Sequence, residues 1–387
     1  MRLRRCQTVL IEPREHKEID LELLLGATPR LASTLRWFAL APHLEQEQPL
    51  DGAEVALLGA VSPSDWSDAA ELARTHAPAT IENLLAKGLL VADDAGAHAA
   101  ADRAARTRHW RPLAAVAHRH LRWRGVDTEI ENARLGEISG GAVLDHLGPP
   151  PPPALDCAAP ERRLGLPRGN ASALDALLDR RVTCRNFDTA RALSLAEVGA
   201  VLYRAFGART ATEVTGVAVL KKGVPSAGGL HPTEAYLLVQ RVDGLAPGLY
   251  HYQPVAHALD PLREMSAEEA AEHARRFVAG QPWFARAPLQ LIMASRFERN
   301  FWKYRNHAKA YRATILDAGH LSQTVYLAAT ELELAAFITA AVNEGDIEDA
   351  LGLDPMEQGV LAVSGFGHRG ALREEVEFDP LNAVWPA

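Results

Sequence analysis

Apolar residues fall in two periods along this chain. The run Ala235-Tyr236-Leu237-Leu238-Val239 is apolar without interruption, the pattern of a strand covered on both faces. Gly248-Leu249-Tyr250-His251-Tyr252, Leu289-Gln290-Leu291-Ile292-Met293, Phe337-Ile338-Thr339 and Val360-Leu361-Ala362-Val363 read as further strands. Between them the period is helical. Ser172 with Asp175 marks an N-terminus ahead of Leu174, Leu177 and Leu178, and the capping box Ser194 to Glu197 opens a helix that buries Val198, Leu202, Ala205 and Phe206 before Gly207. A third capping signature runs from Ser266 to Glu269. Tyr311 to Leu332 is a long helix with Ile315, Leu316, Leu321, Val325, Leu327 and Ala328 spread around it, which predicts a central, largely buried helix. A short helix ends at Gly352.

The first third of the chain has another texture. Ala53–Ala60, Pro63–Thr75 and Pro78–Lys87 read as three short helices followed by the strand Leu89-Leu90-Val91, an order that predicts a winged helix-turn-helix. Asp51 to Asp94 carries eight acids against Arg74 and Lys87, a net of −6. Such a surface repels phosphates, so a peptide-binding or purely structural role is expected in place of DNA reading. Ala99 to Arg124 is an Arg- and His-rich helical stretch, read as a solvated basic face with Trp110 and Trp123 against the core. His118 and His120 lack metal-ligand spacing on a helix, and no metal site is expected. Gly148 and the prolines Pro149 to Pro153 then form a stiff spacer. The expected organisation is an N-terminal domain over 1–147, a Pro-rich linker over 148–168 and an α+β domain over 169–387.

Composition narrows the partners. Lys and Arg number 41 against 49 Asp and Glu, which argues against wholesale binding of a nucleic-acid backbone. Three cysteines far apart, Cys6, Cys157 and Cys184, suggest neither a disulfide framework nor a zinc site and fit a reducing compartment. With no run of about 18 apolar residues and no signal-like h-region, the chain is expected to be soluble and cytoplasmic, with no membrane partner.

The chemistry concentrates in a few segments. Pro225-Ser226-Ala227-Gly228-Gly229 leads into the central strand, and its glycines let backbone N–H groups approach a flat ligand. Arg181-x-Thr183-x-Arg185 sets two guanidiniums and a hydroxyl within five residues, the donors that bind phosphate through charge-assisted bonds. Asp317-Ala318-Gly319-His320 lies on the long helix. His231 and His320 read as hydrogen-bonded structural histidines, and Tyr250 and Tyr252 as packing or pocket wall.

With Gly248-Leu249-Tyr250-His251-Tyr252-Gln253-Pro254, Tyr311-Arg312 and Asp317-Ala318-Gly319-His320, these segments resemble the FMN-dependent nitroreductase superfamily. Within it they resemble the SagB/ThcOx-type dehydrogenases of peptide natural-product maturation, and Arg103 to Asp127 is similar to the linker helix of such enzymes. The resemblance covers a little over half the chain, from about Ser172 onward. It implies an α+β fold with a nitroreductase-like mixed sheet and surrounding helices, preceded by the winged-helix-like N-terminal domain. It also implies bound FMN, with Arg181, Thr183 and Arg185 at the phosphate and ribityl chain, Pro225, Ser226, Ala227, Gly228 and Gly229 along the ring, and Arg369 as a late phosphate ligand. The turn Ala340-Ala341 matches the place that supplies a backbone N–H near flavin N5, although family members often carry glycine there.

Lys303-Tyr304 is similar to the Lys-Tyr pair of azoline-oxidising members. Making an azole from an azoline removes a proton from one carbon and a hydride from its neighbour; a lysine lowered by burial, or a tyrosine lowered by that lysine, would take the proton. Arg305-Asn306-His307 departs from the small and acidic residues expected after such a pair. The function so implied is dehydrogenation of a ribosomally made peptide by a homodimeric flavoenzyme, with a peptide-modifying enzyme as a candidate partner. An NAD(P)H-dependent reductase of nitro, quinone or dehydroamino-acid groups and a non-catalytic peptide-binding scaffold remain as alternatives.

Overall fold

A computed structural model describes residues 1–19, 31–94, 96–134 and 148–385; the expected domain boundary at residue 147 lies outside them. In chain order the N-terminal region contains β1 (Arg2–Arg5), β2 (Leu10–Ile19), β3 (Leu31–Leu40), β4 (Gln48–Leu50), α1 (Gly52–Ala60), β5 (Ser67–Asp68), α2 (Ala69–Leu72), α3 (Pro78–Ala86) and β6 (Leu90–Ala92). It continues through α4 (Ala97–Thr107), α5 (Pro112–His120) and α6 (Thr128–Arg134). Beyond an exposed stretch without regular structure save a turn at Pro160–Arg162 come α7 (Ala173–Arg180), α8 (Leu195–Ala205), the hairpin β7 (Ala208–Val214) and β8 (Val217–Lys222), and β9 (Thr233–Val239). Then follow β10 (Gly248–Gln253), β11 (Ala258–Glu264), α9 (Ala267–Phe277), α10 (Pro282–Ala285), β12 (Leu289–Arg296), α11 (Phe297–Phe301), α12 (Ala310–Glu331), β13 (Ala335–Thr339), α13 (Glu344–Leu351) and β14 (Gln358–Gly367).

The continuous apolar runs are explained by a six-stranded sheet in the order β11-β10-β9-β12-β14-β13, covered on both faces. Its pairings are antiparallel, with Tyr236 opposite Ile292 and Leu291 opposite Ser364; a parallel bridge joins Thr183 to Ala336. The period of two assigns each strand residue to one layer. Ala235, Leu237 and Val239 pack with Leu202 of α8, Phe206 just after it, and Leu321 and Val325 of α12, whereas Tyr236 and Leu238 pack with Phe277, Phe284 and Phe337.

The N-terminal region has its own core of Leu3, Leu57, Leu58, Ile81, Leu84, Leu89 and Leu90 under the sheet β5-β1-β6. The helix expected over Pro63–Thr75 contracts to α2. Ser67 and Asp68 stay extended to pair with β1, and Asp68 then caps α2 by accepting from Ala70 N–H. The long hairpin β2–β3 carries no apolar alternation that would have announced it.

The expected single helical stretch from Ala99 to Arg124 is two helices. Pro112 has no N–H to continue a helix and holds Arg111 extended, while His109 turns through a positive φ of 56°. The two helices are tied to the molecule differently. α4 is tied to β1 by Asp102, which takes Arg4 and Arg106, each at 2.8 Å. Trp110 and α5 instead join a second core with Phe297, Phe301, Ala310 and Met356. Part of this stretch is not a solvated face: Arg108 pairs with Asp354 at 2.9 Å, Arg122 with the buried Glu348, and Arg124 with Asp349, while Arg103 and Arg111 are exposed.

His118 is enclosed at this junction between the Tyr311 hydroxyl, 3.1 Å from Nδ1, and the Pro355 carbonyl, 2.9 Å from Nε2. Burial pushes its pKa down to about 3, so the folded protein keeps the ring neutral where the unfolded chain binds a proton. This stabilisation is complete above the unfolded value of about 6.5 and is lost as pH falls from there toward 3, by at most ~1.4 kcal/mol per pH unit. Thermal unfolding of wild type and His118→Gln over that range should show a shallower acid slope in the variant.

Candidate functional site

The loop before β9 is shaped by one carboxylate. Asp317, on the buried side of α12, accepts the Ser226 hydroxyl at 2.5 Å and the Ala227 N–H at 3.1 Å. Ser226 Oγ in turn accepts the His231 N–H at 2.9 Å, closing the loop on itself. Burial raises the Asp317 pKa, against the lowering effect of these two donors. His231, at φ 48°, is held neutral: burial first, then Lys222, Lys221 and Arg299, lower it to about 4.

Gly228 stands at φ 63°, and the reason for a glycine is also steric. A Cβ there would lie 2.6 Å from the Tyr304 hydroxyl and 2.9 Å from Lys303 Nζ. The fold thus brings the glycine loop and the Lys303-Tyr304 pair together across 75 residues of chain. The pair sits in the turn after α11, where Asn300 O accepts the N–H groups of both residues. Contrary to the expectation of a lysine lowered by burial, the Lys303 side chain is exposed and only Tyr304 is half-buried, because the turn lies at the surface.

Behind the loop lies a cavity with about 10 Å³ of room, lined by Lys222, Ser226, His231, Thr233 and Asp317 among others. Lys222 is buried and its pKa is lowered by that burial. The Thr233 hydroxyl is buried without a hydrogen-bond partner among the described residues. A polar ligand at this corner would find an orphaned hydroxyl and the open face of Gly229.

The second cluster lies further along α12. Thr183 Oγ1 is 2.9 Å from the Tyr326 hydroxyl, and the Arg181 guanidinium stands 5.5 Å from the Tyr326 ring centroid. Arg181 makes no ion pair among the described residues, which leaves its donors free for an anion. The segment runs beside β13, Cys184 N–H donating to Ala336 O, and Ala340-Ala341 follow where that strand ends. Gln281 donates to Ala341 O at 2.9 Å and fixes the turn from below. Asp317 and Tyr326 are nine residues apart, so the two clusters are separated by about 13 Å of helix.

Arg369, expected as a late phosphate ligand, is joined to a carboxylate of the C-terminal tail. Its guanidinium pairs with Glu377, a buried carboxylate that also accepts the backbone N–H groups of Arg185 and Asn186 and the Trp385 indole N–H at 2.8 Å. The Arg185 side chain reaches the Val376 carbonyl. No spacing in the sequence marks Glu377, because it acts from a tail without periodicity. Asp317 could have been found, since an acid on a helix otherwise read as buried requires a partner.

One further expectation is corrected and another is met. His320 is exposed, as are Ile315, Leu316 and Gly319, so α12 is buried on one side only. Tyr250 and Tyr252 are packing residues whose hydroxyls bond Ala246 O and His257 Nδ1, both at 2.8 Å. Among the described residues there is no group of three or more His, Cys, Asp or Glu that could hold a metal.

Gly228→Ala tests the loop. An L-residue at this φ costs about 1–2 kcal/mol, and the added methyl displaces the Tyr304 hydroxyl. A lowered melting temperature with increased solvent reactivity of Tyr304 is expected, and an unchanged tyrosine would contradict the contact.

Residues 178–368 match the nitroreductase family. A nitroreductase-named protein of Methanocaldococcus jannaschii is 31% identical over 178 residues, covering 46% of this chain and 83% of the relative. The trifolitoxin-processing protein TfxB of Rhizobium leguminosarum bv. trifolii is 33% identical over 144 residues, 37% of this chain and 38% of that protein. Among solved structures, a nitroreductase-like protein of Anabaena variabilis is 28% identical over 44% of this chain and 34% of its own, with a TM-score of 0.41, too low to support an argument. The match over the sheet and both clusters, with a relative above 30% identity covered over most of its length, places this chain in the nitroreductase family.

Proposed function

We propose that this chain is an FMN-dependent oxidoreductase that removes two electrons from a ribosomally made peptide during natural-product maturation, in an azoline-to-azole or related oxidation. The observation that carries this reading is the contact of the Gly228 loop with Lys303 and Tyr304. The family generally binds flavin, and one relative is named for processing trifolitoxin.

The donor set fits FMN. Arg181, Thr183 and Arg185 would hold the phosphate and ribityl chain, the Pro225–Gly229 loop would lie along the ring, and the Ala340-Ala341 backbone would face it near N5. When bound, the flavin supplies the two-electron acceptor. The chain's own residues do the rest. Asp317 fixes the loop, Gly228 lets the Tyr304 hydroxyl and Lys303 Nζ close on it, and that pair, with one member deprotonated, would take the proton from the carbon next to the one that gives up the hydride. Arg369 serves the tail through Glu377.

The exposed stripe Ile315, Leu316 and Gly319 on α12, with Leu174 and Leu178 on α7, is the surface expected to close a homodimer. The N-terminal region is assigned as a winged-helix-like unit that holds the peptide delivered by a partner modifying enzyme. No described helix is long and apolar enough to cross a membrane.

The relative named as a nitroreductase favours a second reading, an NAD(P)H-dependent reductase. With FMN-loaded protein and candidate azoline peptides, Lys303→Ala and Tyr304→Phe should each lower oxidation by about 10²-fold or more while FMN stays bound. Rapid bleaching of the flavin by NADPH, with no peptide oxidation, would favour the reductase instead.

A further inference from the structure

The turn that carries Lys303 and Tyr304 does not stand on the flavin domain alone. Its floor is the elbow between α4 and α5, almost 200 residues earlier in the chain. Asn306 N–H donates to the His109 carbonyl at 3.1 Å. The Asn306 side-chain amide, turned to donate, meets the His109 and Trp110 carbonyls at 3.1 and 3.2 Å. Both partners take the left-handed backbone, His109 at φ 56° and Asn306 at φ 53°, so two turns are fitted against each other.

Trp110 anchors the elbow. It is buried, its indole N–H donates to Met356 O at 3.0 Å, and its ring lies 4.7 Å from those of both Phe297 and Phe301, the first and last residues of α11. Tyr304 packs against this same cluster. Arg108, just before the elbow, is held by Asp354 and Glu357. A rigid aromatic wedge under α11 and a backbone clasp on the following turn together fix where the pair points.

We propose that His109 and Trp110 form a positioning element for Lys303 and Tyr304, so that the N-terminal region completes the reactive corner of the flavin domain. The proposal rests on the reading of that pair as the reactive groups. It goes beyond peptide holding: the elbow sets the pair's geometry, and α5, whose Arg119 and His120 reach the Leu44 and Ala41 carbonyls, links the N-terminal region to it. Movement of α5 on peptide docking would reach Lys303 and Tyr304 through Trp110.

The test uses the full chain as wild type, Trp110→Ala and Asn306→Gly. Glycine tolerates φ 53° and removes only the side-chain clasp, so this variant decides the matter should Trp110→Ala fail to fold. FMN affinity is measured by fluorescence titration, amide exchange is followed over residues 302–307, and acylation of Lys303 by acetic anhydride is read against Lys309 across a pH series. Tyr304, Arg305 and His307 are the ionisable neighbours in the turn. Expected are FMN affinity within ~2-fold of wild type, exchange at the turn faster by ~10-fold or more with the sheet unaffected, and a Lys303 to Lys309 ratio altered by ~3-fold or more with a displaced pH profile. FMN uptake with exchange and acylation as in wild type overturns the elbow alone. A wild-type chain that takes up no FMN brings down the functional reading, and the proposal with it.

Discussion

A buried carboxylate organises the candidate site. Asp317 is costly to bury, and the cost is offset by two donors from the loop before β9. The loop is therefore not free to relax. Its glycine sits where it does because Ser226 and Ala227 are pinned to α12, and α12 is pinned by the sheet through Leu321 and Val325. The geometry at Gly228, Lys303 and Tyr304 depends on this chain of contacts, each of which becomes unfavourable if its neighbour shifts.

The two clusters on α12 divide the chemistry by environment. At the Tyr326 end an arginine and a hydroxyl beside an edge strand suit an anionic group. At the Asp317 end the backbone is open, a hydroxyl is orphaned and the ionisable pair lies at the surface, where a large substrate has access. Between them the helix acts as a rigid ruler. The tail adds a different constraint: Glu377 gathers Arg185, Asn186, Arg369 and Trp385, so the segment bearing Arg181 and Thr183 is held from its far end.

Local pattern revealed what depends on local pattern. Strands buried on both faces were legible because their residues serve two layers at once, and the capping boxes at Ser194 and Ser172 form as the spacing predicts. The glycine loop and the Lys-Tyr pair were legible through resemblance, their contact was not, since it joins segments 75 residues apart. The apolar residues of α12 were misread as burial all round; Ile315 and Leu316 face outward, and a helix periodicity cannot say which apolar positions meet the core. The arginines of Arg108 to Arg124 were read as solvated because their acids, Asp354, Glu348 and Asp349, lie more than 200 residues away.

The central claim is that these two clusters hold a flavin, and the visible spectrum of the purified chain tests it most directly. The account predicts flavin absorbance near one per chain, released by heat as FMN and restored when FMN is added back. A colourless protein that takes up no FMN would contradict it and leave a peptide-binding scaffold in its place.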